Sequence, residues 1–228
     1  MSTATHSRYA RELIAWVPVS GLVVAALVAI GLLAPREATM GDVQRIVYIH
    51  VAVAWFGLVG LVVSAATGLV FLLRRDLRWD HWAKAAAEIG WMCASLTLIT
   101  GSLWAKAAWG TWWTWEPRLT SAFILWTIYS GYHIARNNID DPHRRARLAA
   151  IVAIIGALDV PLVIMATRLF RGMHPVSPQM EPTMRAVLLL SVLSFTALFV
   201  WLLVQRYRQI RMARELATLQ LRLDVDSF

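Results

Sequence analysis

Five of the chain's twelve tryptophans fall in one short run, Trp104-Ala-Lys-Ala-Ala-Trp109-Gly-Thr-Trp112-Trp113-Thr-Trp115-Glu116-Pro-Arg118. Indole is a large rigid π-surface, and a dense patch of it suits stacking on a flat apolar ligand. Trp109, Trp112, Trp113 and Glu116 stand at i, i+3, i+4 and i+7, the spacing of one face of a short helix. Such a helix, lying in a membrane interface, would present indoles with a carboxylate at its end. The competing account is an aromatic belt, because tryptophan gathers at membrane interfaces in any case. A belt needs only about one or two indoles per helix end. The density favours a ligand, and the belt stays open.

Two histidines could complete a site. His50 lies in Arg45-Ile-Val-Tyr48-Ile-His50, inside an apolar run, where an ionisable residue is a functional candidate. A neutral imidazole hydrogen-bonded to a neighbouring helix is the alternative. His174 lies in Arg171-Gly-Met173-His174-Pro175, and alone it reads as a solvated loop histidine. Together, two neutral imidazoles flanking a flat aromatic surface are what axial ligation of heme iron requires. Arg45, Arg118 and Arg171 would then suit the two propionates through bidentate contacts. Met165, Met173, Met180 and Met184 suit helix packing better than ligation.

These residues must be held by membrane-spanning elements. Hydrophobic residues make up 58% of the 228 and charged ones 16%, against about a quarter in a soluble domain. The apolar residues collect in six stretches, 13–33, 47–73, 88–106, 119–135, 147–169 and 184–205, each near the ~20 residues a spanning helix needs. Backbone in lipid must satisfy its own hydrogen bonds, so these runs predict helices, and the alternation of a barrel is absent. The expectation is an all-α integral membrane protein with six transmembrane helices in a single membrane domain, 1–228. It carries a short Trp-rich interfacial helix or loop, 104–120, on its outer face.

The formal net charge of +8 is unevenly placed. With the N-terminus inside, 15 of the 22 basic residues fall on inner segments, among them Arg74, Arg75, Arg78, Arg136, Arg144, Arg145 and Arg147. This positive-inside bias predicts cytoplasmic N- and C-termini. The basic residues therefore set topology and face anionic lipid, rather than bind nucleic acid. Arg206–Leu223 reads as the last helix continuing into the cytoplasm. Leu13–Leu33 is longer than a signal-peptide core and precedes further spans, so it predicts a retained span.

Several activities find no support. The single cysteine, Cys93, rules out CxxC and CxxCH chemistry within this chain. A GxxxxGK[ST] phosphate loop is missing, so any ATP-driven step belongs to a partner. Asp159, two residues before Pro161 in the fifth run, is expected to be protonated and hydrogen-bonded to a carbonyl that the proline releases. His6, His81, His133 and His143 lie on the inner side and read as structural or solvated.

Thr100-Gly-Ser-Leu-Trp104 through Trp115-Glu116-Pro-Arg118-Leu-Thr-Ser121 resembles the WWD motif of heme-handling membrane proteins, and most closely that of the cytochrome c maturation protein C (heme exporter protein C) family. The segment around His50, the outer-loop His174 and the six spans also match, so the resemblance covers nearly the whole chain. It implies heme b held as cargo at the periplasmic face of the inner membrane. His50 and His174 would be its axial ligands, and Trp109, Trp112, Trp113 and Trp115 its bed. It further implies transfer to a periplasmic heme chaperone, cytochrome c maturation protein E, alongside a small single-span protein and an ABC-type ATPase and permease pair. Such a protein is a delivery component for cytochrome c biogenesis, not an enzyme. Two positions depart from the family pattern: Glu116 stands where aspartate is usual, and Ala52 where a proline often follows the first histidine.

The rival readings are a permease-type subunit moving heme or another substrate through the bundle, and an enzyme joining heme to a polypeptide. The first predicts polar residues along several spans, and few occur beyond Ser95, Thr97, Thr100 and Asp159. The second predicts a large outer domain, for which the outer loops are too short.

Overall fold

The computed structural model describes residues 3–170, 172–174 and 180–226. Among them, regular structure is helical apart from one isolated bridge, Glu37 with Gly41. Helix α1 covers Thr3–Val28 and tightens into a π-helical turn, Ala29–Leu33. A 3-10 turn, Asp42–Arg45, leads into α2, Ile46–Arg74. There follow α3 (Leu77–Trp109), α4 (Pro117–Asn137), α5 (Pro142–Ala157), α6 (Val160–Leu169) and α7 (Pro182–Asp226). Five stretches are long and apolar enough to cross a membrane: Trp16–Leu33, Asp42–Arg74, Leu77–Trp109, Pro142–Leu169 and Pro182–Asp224. The remaining expected span is α4. Its 21 residues rise about 32 Å, enough for the hydrocarbon core, but it carries more hydroxyl and amphipathic side chains than the others.

Two boundaries differ from expectation for identifiable reasons. The fifth span is not one helix: α5 stops at Ala157 and α6 begins at Val160, with Pro161 in its first turn. Proline lacks the N–H that would continue α5, and its ring would strike the carbonyl four residues back. Asp159 sits in this break, its carbonyl accepting from the Val163 N–H at 3.0 Å. Its buried Oδ2 has no hydrogen-bond partner, so the bond expected of that carboxyl is not made there. The inner connection expected over 74–87 is also mostly helix. Only Arg75 and Asp76 separate α2 from α3, and Arg75 turns the chain with φ 57°.

The early start of α3 has a partner. Asp80 and Arg136 form a bidentate pair, Nη1–Oδ1 2.6 Å and Nη2–Oδ2 2.8 Å, with both side chains under a tenth exposed. Two buried charges need such geometry to offset their desolvation.

The chain divides into two compact units. The first contains α1, the start of α2, the end of α3 and the first part of α7. Its core gathers Ala29, Ile30, Ala34, Tyr48 and Val187. The second contains the rest of α2 and α3, all of α4, α5 and α6, and the end of α7. Here Leu61, Leu125, Tyr129, Ala153 and Val163 pack together, and the Tyr129 hydroxyl donates to the Leu61 carbonyl at 2.8 Å. Within this unit α2 and α3 cross where Gly60 meets Gly90: a Cβ on Gly60 would lie 3.0 Å from the Gly90 Cα. Small residues let backbones approach in membranes, where hydrophobic driving force between helices is lacking. Helix α7 is tied to α3 by Arg206, which donates to both Glu88 oxygens at 2.5 and 3.2 Å. Its 45 residues rise about 68 Å, and from Arg211 to Asp224 its side chains are exposed.

Candidate functional site

His50 lies one turn into α2, half-buried, with its ring against α3. Its Nδ1 is 3.0 Å from the Thr100 Oγ1. That hydroxyl has a single proton, and it donates to the Leu96 carbonyl at 2.7 Å. With that proton given to Leu96, the Thr100 oxygen accepts from the imidazole, an arrangement that puts the ring proton on Nδ1. The next residue of α3 is Gly101, where a Cβ would come within 3.0 Å of the His50 Cε1. Thr100 fixes the tautomer and Gly101 leaves room for the ring. The alternative open for His50, an imidazole bonded to a neighbouring helix, describes what Nδ1 does; it is compatible with metal binding at Nε2. Neither Thr100 nor Gly101 was a sequence candidate for this role, because cross-helix register is not written in either helix alone.

Arg45 is engaged in the same unit. It donates to the Gly31 carbonyl at 2.7 Å and lies 3.2 Å from the Asp42 carboxylate, which Arg36 also approaches at 2.7 Å. Gly31 belongs to the end of the first span, so Arg45 closes the α1–α2 connection. A propionate would have to compete with that role.

The tryptophan run does not form the helix expected from its spacing. Helix α3 continues through Trp109 and ends at Gly110, whose φ of 74° suits glycine. The Gly110 N–H closes on the Lys106 carbonyl at 3.1 Å, and the Lys106 ammonium donates to the Gly110 carbonyl at 3.0 Å. Residues 111–116 are irregular, so Trp109, Trp112, Trp113 and Glu116 do not share a helical face. The loop is shaped instead by side chains reaching its carbonyls: Ser102 donates to Trp112 at 2.8 Å and Thr111 to Trp113 at 3.0 Å. Trp109 is half-buried, edge-on to Trp104 at 5.0 Å. Trp112 is 53% exposed with the Lys106 ammonium over its ring, and Trp115 is 74% exposed.

In the second unit Trp115 meets Phe123 edge-on at 6.3 Å, and Phe123 stacks near-parallel on Trp126 at 5.9 Å. Glu116 is the N-cap residue of α4, yet its side chain makes no capping bond. It turns to the α6–α7 connection, where Oε2 accepts the Met173 N–H at 2.6 Å and Oε1 lies 3.7 Å from the His174 Nδ1. Both side chains are largely buried, 8% exposed for Glu116 and 19% for His174. His174 is thus not the solvated loop histidine that its position alone suggests. Arg118 is half-buried in the field of Glu116. Arg171 lies outside the described residues.

His81, His133 and His143 each pack against a neighbouring side chain. His81 lies 3.3 Å from an Arg214 nitrogen, His133 is edge-on to Trp91 at 5.4 Å, and His143 stacks on Phe71.

Comparison with known proteins agrees with the resemblance carried by the tryptophan run. The family model of heme exporter protein C matches residues 1–222. Heme exporter protein C of Bradyrhizobium diazoefficiens is 35% identical over 206 residues, covering 86% of this chain and 78% of that protein. The Rhodobacter capsulatus protein of the same name is 35% identical over 196 residues, 82% of this chain and 81% of its own length. That of Escherichia coli K12 is 32% identical over 187 residues, 80% of this chain and 76% of its own. A family model spanning almost the whole chain, with relatives above 30% identity, shows that this multi-helix membrane protein belongs to the heme exporter protein C family.

Proposed function

We propose that the chain binds heme b as cargo at the periplasmic face of the bacterial inner membrane and hands it to a periplasmic heme chaperone. The observation that carries this reading is the anchoring of His50: the Thr100 hydroxyl holds Nδ1 at 3.0 Å, and Nε2 is the nitrogen that would meet iron. The names of the relatives support heme as the cargo. His50 and His174 are the axial ligands. Trp109, Trp112, Trp113 and Trp115 supply the aromatic bed, and Arg118 and Arg171 hold the propionates. The chain is a delivery component rather than an enzyme. With no phosphate loop in the sequence, energy for release comes from a partner ATPase of the cytochrome c maturation system.

The test is an absorption spectrum and pyridine hemochrome assay on protein purified from heme-replete cells, with and without co-expressed chaperone. Bound heme with a bis-histidine spectrum is expected, and either His50→Ala or His174→Ala should lose most of it. Full retention of that spectrum in either variant would sink the ligand assignment.

A further inference from the structure

A carboxylate at a helix N-cap ordinarily accepts from its own helix, at the second or third N–H. Glu116 does not: its Oε2 instead accepts from the Met173 N–H at 2.6 Å. The neighbouring residue is Gly172, where any Cβ would overlap the Glu116 Oε2. Residues 172–174 therefore pack against this carboxylate, and Oε1 faces the imidazole Nδ1 at 3.7 Å. That separation is longer than a closed hydrogen bond. The N-terminus of α4 favours negative charge at the same place.

We propose that Glu116 is the positioning residue of His174, holding its Nδ1 edge so that Nε2 is presented to the iron of the cargo, and backing that ligand with negative charge. This rests on the heme-binding reading above. A carboxylate behind a ligating imidazole orients the ring and raises its basicity. His50 has a threonine hydroxyl in the equivalent place, so it has orientation without charge. The two ligands are chemically unequal: His174 is the stronger donor and favours ferric over ferrous iron, and His50 is the weaker.

The experiment uses full-length protein in detergent, loaded with ferric heme, and reads affinity by absorbance titration and midpoint potential by spectroelectrochemistry. Glu116→Gln keeps an amide oxygen to accept the Met173 N–H, removes the charge and turns an NH2 donor toward the imidazole. It should bind ferric heme about 10-fold more weakly. If ferrous affinity is unchanged, that tenfold loss is a rise of about 59 mV for one electron. Glu116→Asp, which restores charge, should return the potential toward wild type. An unchanged affinity and potential in Glu116→Gln overturns the proposal. If Glu116→Gln binds no heme, Glu116→Asp decides: heme at the wild-type potential supports positioning by charge, and no heme overturns it. Wild-type protein that takes up no heme, or a His174→Ala variant with an intact bis-histidine spectrum, refutes the heme reading itself and this inference with it.

Discussion

An imidazole can meet a metal through either nitrogen, and the choice is made by whatever holds the other one. For His50 that partner is a hydroxyl whose own proton is already donated to Leu96. The consequence can be tested by removing one oxygen. Thr100→Val keeps the shape of the side chain and the close packing beside Gly101, but releases the ring proton from its acceptor. Loss of such an outer partner typically costs 10- to 100-fold in metal affinity. We expect about a 10-fold weaker heme affinity in a titration followed by absorbance, with helix content by circular dichroism unchanged. Equal affinity in the two proteins would show that Thr100 does not set the ligand. At His174 the facing group is the Glu116 carboxyl, 3.7 Å from Nδ1. In the sequence both proposed ligands could be picked out and the residues that face them could not be assigned that role, because Thr100 lies 50 residues from His50 and Glu116 57 from Met173, on different elements.

At the scale of elements, apolar runs predicted helices well, since lipid leaves the backbone no other solution. Their ends were less legible. The run at 88–106 falls inside the third span, but α3 begins at Leu77, and Asp80 in its first turn pairs with Arg136 on α4. From sequence Arg136 counts as one more inner-side cation. In the structure it is buried and bidentate. Asp80→Ala would strand that guanidinium, at a cost of about 3–5 kcal/mol. We expect markedly earlier loss of monodispersity on heating in detergent. An Asp80→Leu, Arg136→Met double variant should recover much of the loss, because an apolar replacement of a buried pair is often neutral or better. Wild-type melting in Asp80→Ala alone would remove the structural role. The tryptophan run shows the opposite limit of legibility: its helical spacing was real, but Gly110 at φ 74° ends the helix before the spacing can act. One glycine outweighed the periodicity.

At the scale of the whole molecule, the proposed heme site has meaning only if the tryptophan loop faces the periplasm, and that orientation rests on the placement of charge. The basic residues at 74–78, 136–147 and 206–222 all lie at one set of helix ends. The connections Ala34–Gly41 and Gly110–Glu116 join the other ends and hold few cations. Inserting several arginines through the membrane against its potential and anionic lipid is unfavourable, which predicts that the arginine-rich ends stay inside. Cysteine labelling decides the matter, starting from a Cys93→Ser background; the native thiol is buried. Ala38→Cys and Asp140→Cys replace exposed residues at opposite ends of the spans. A membrane-impermeant maleimide should label Ala38→Cys in intact spheroplasts and Asp140→Cys only after permeabilisation. The reverse pattern would put the loop and both histidines in the cytoplasm, where no periplasmic chaperone could reach them, and the handover would fail even if heme were bound.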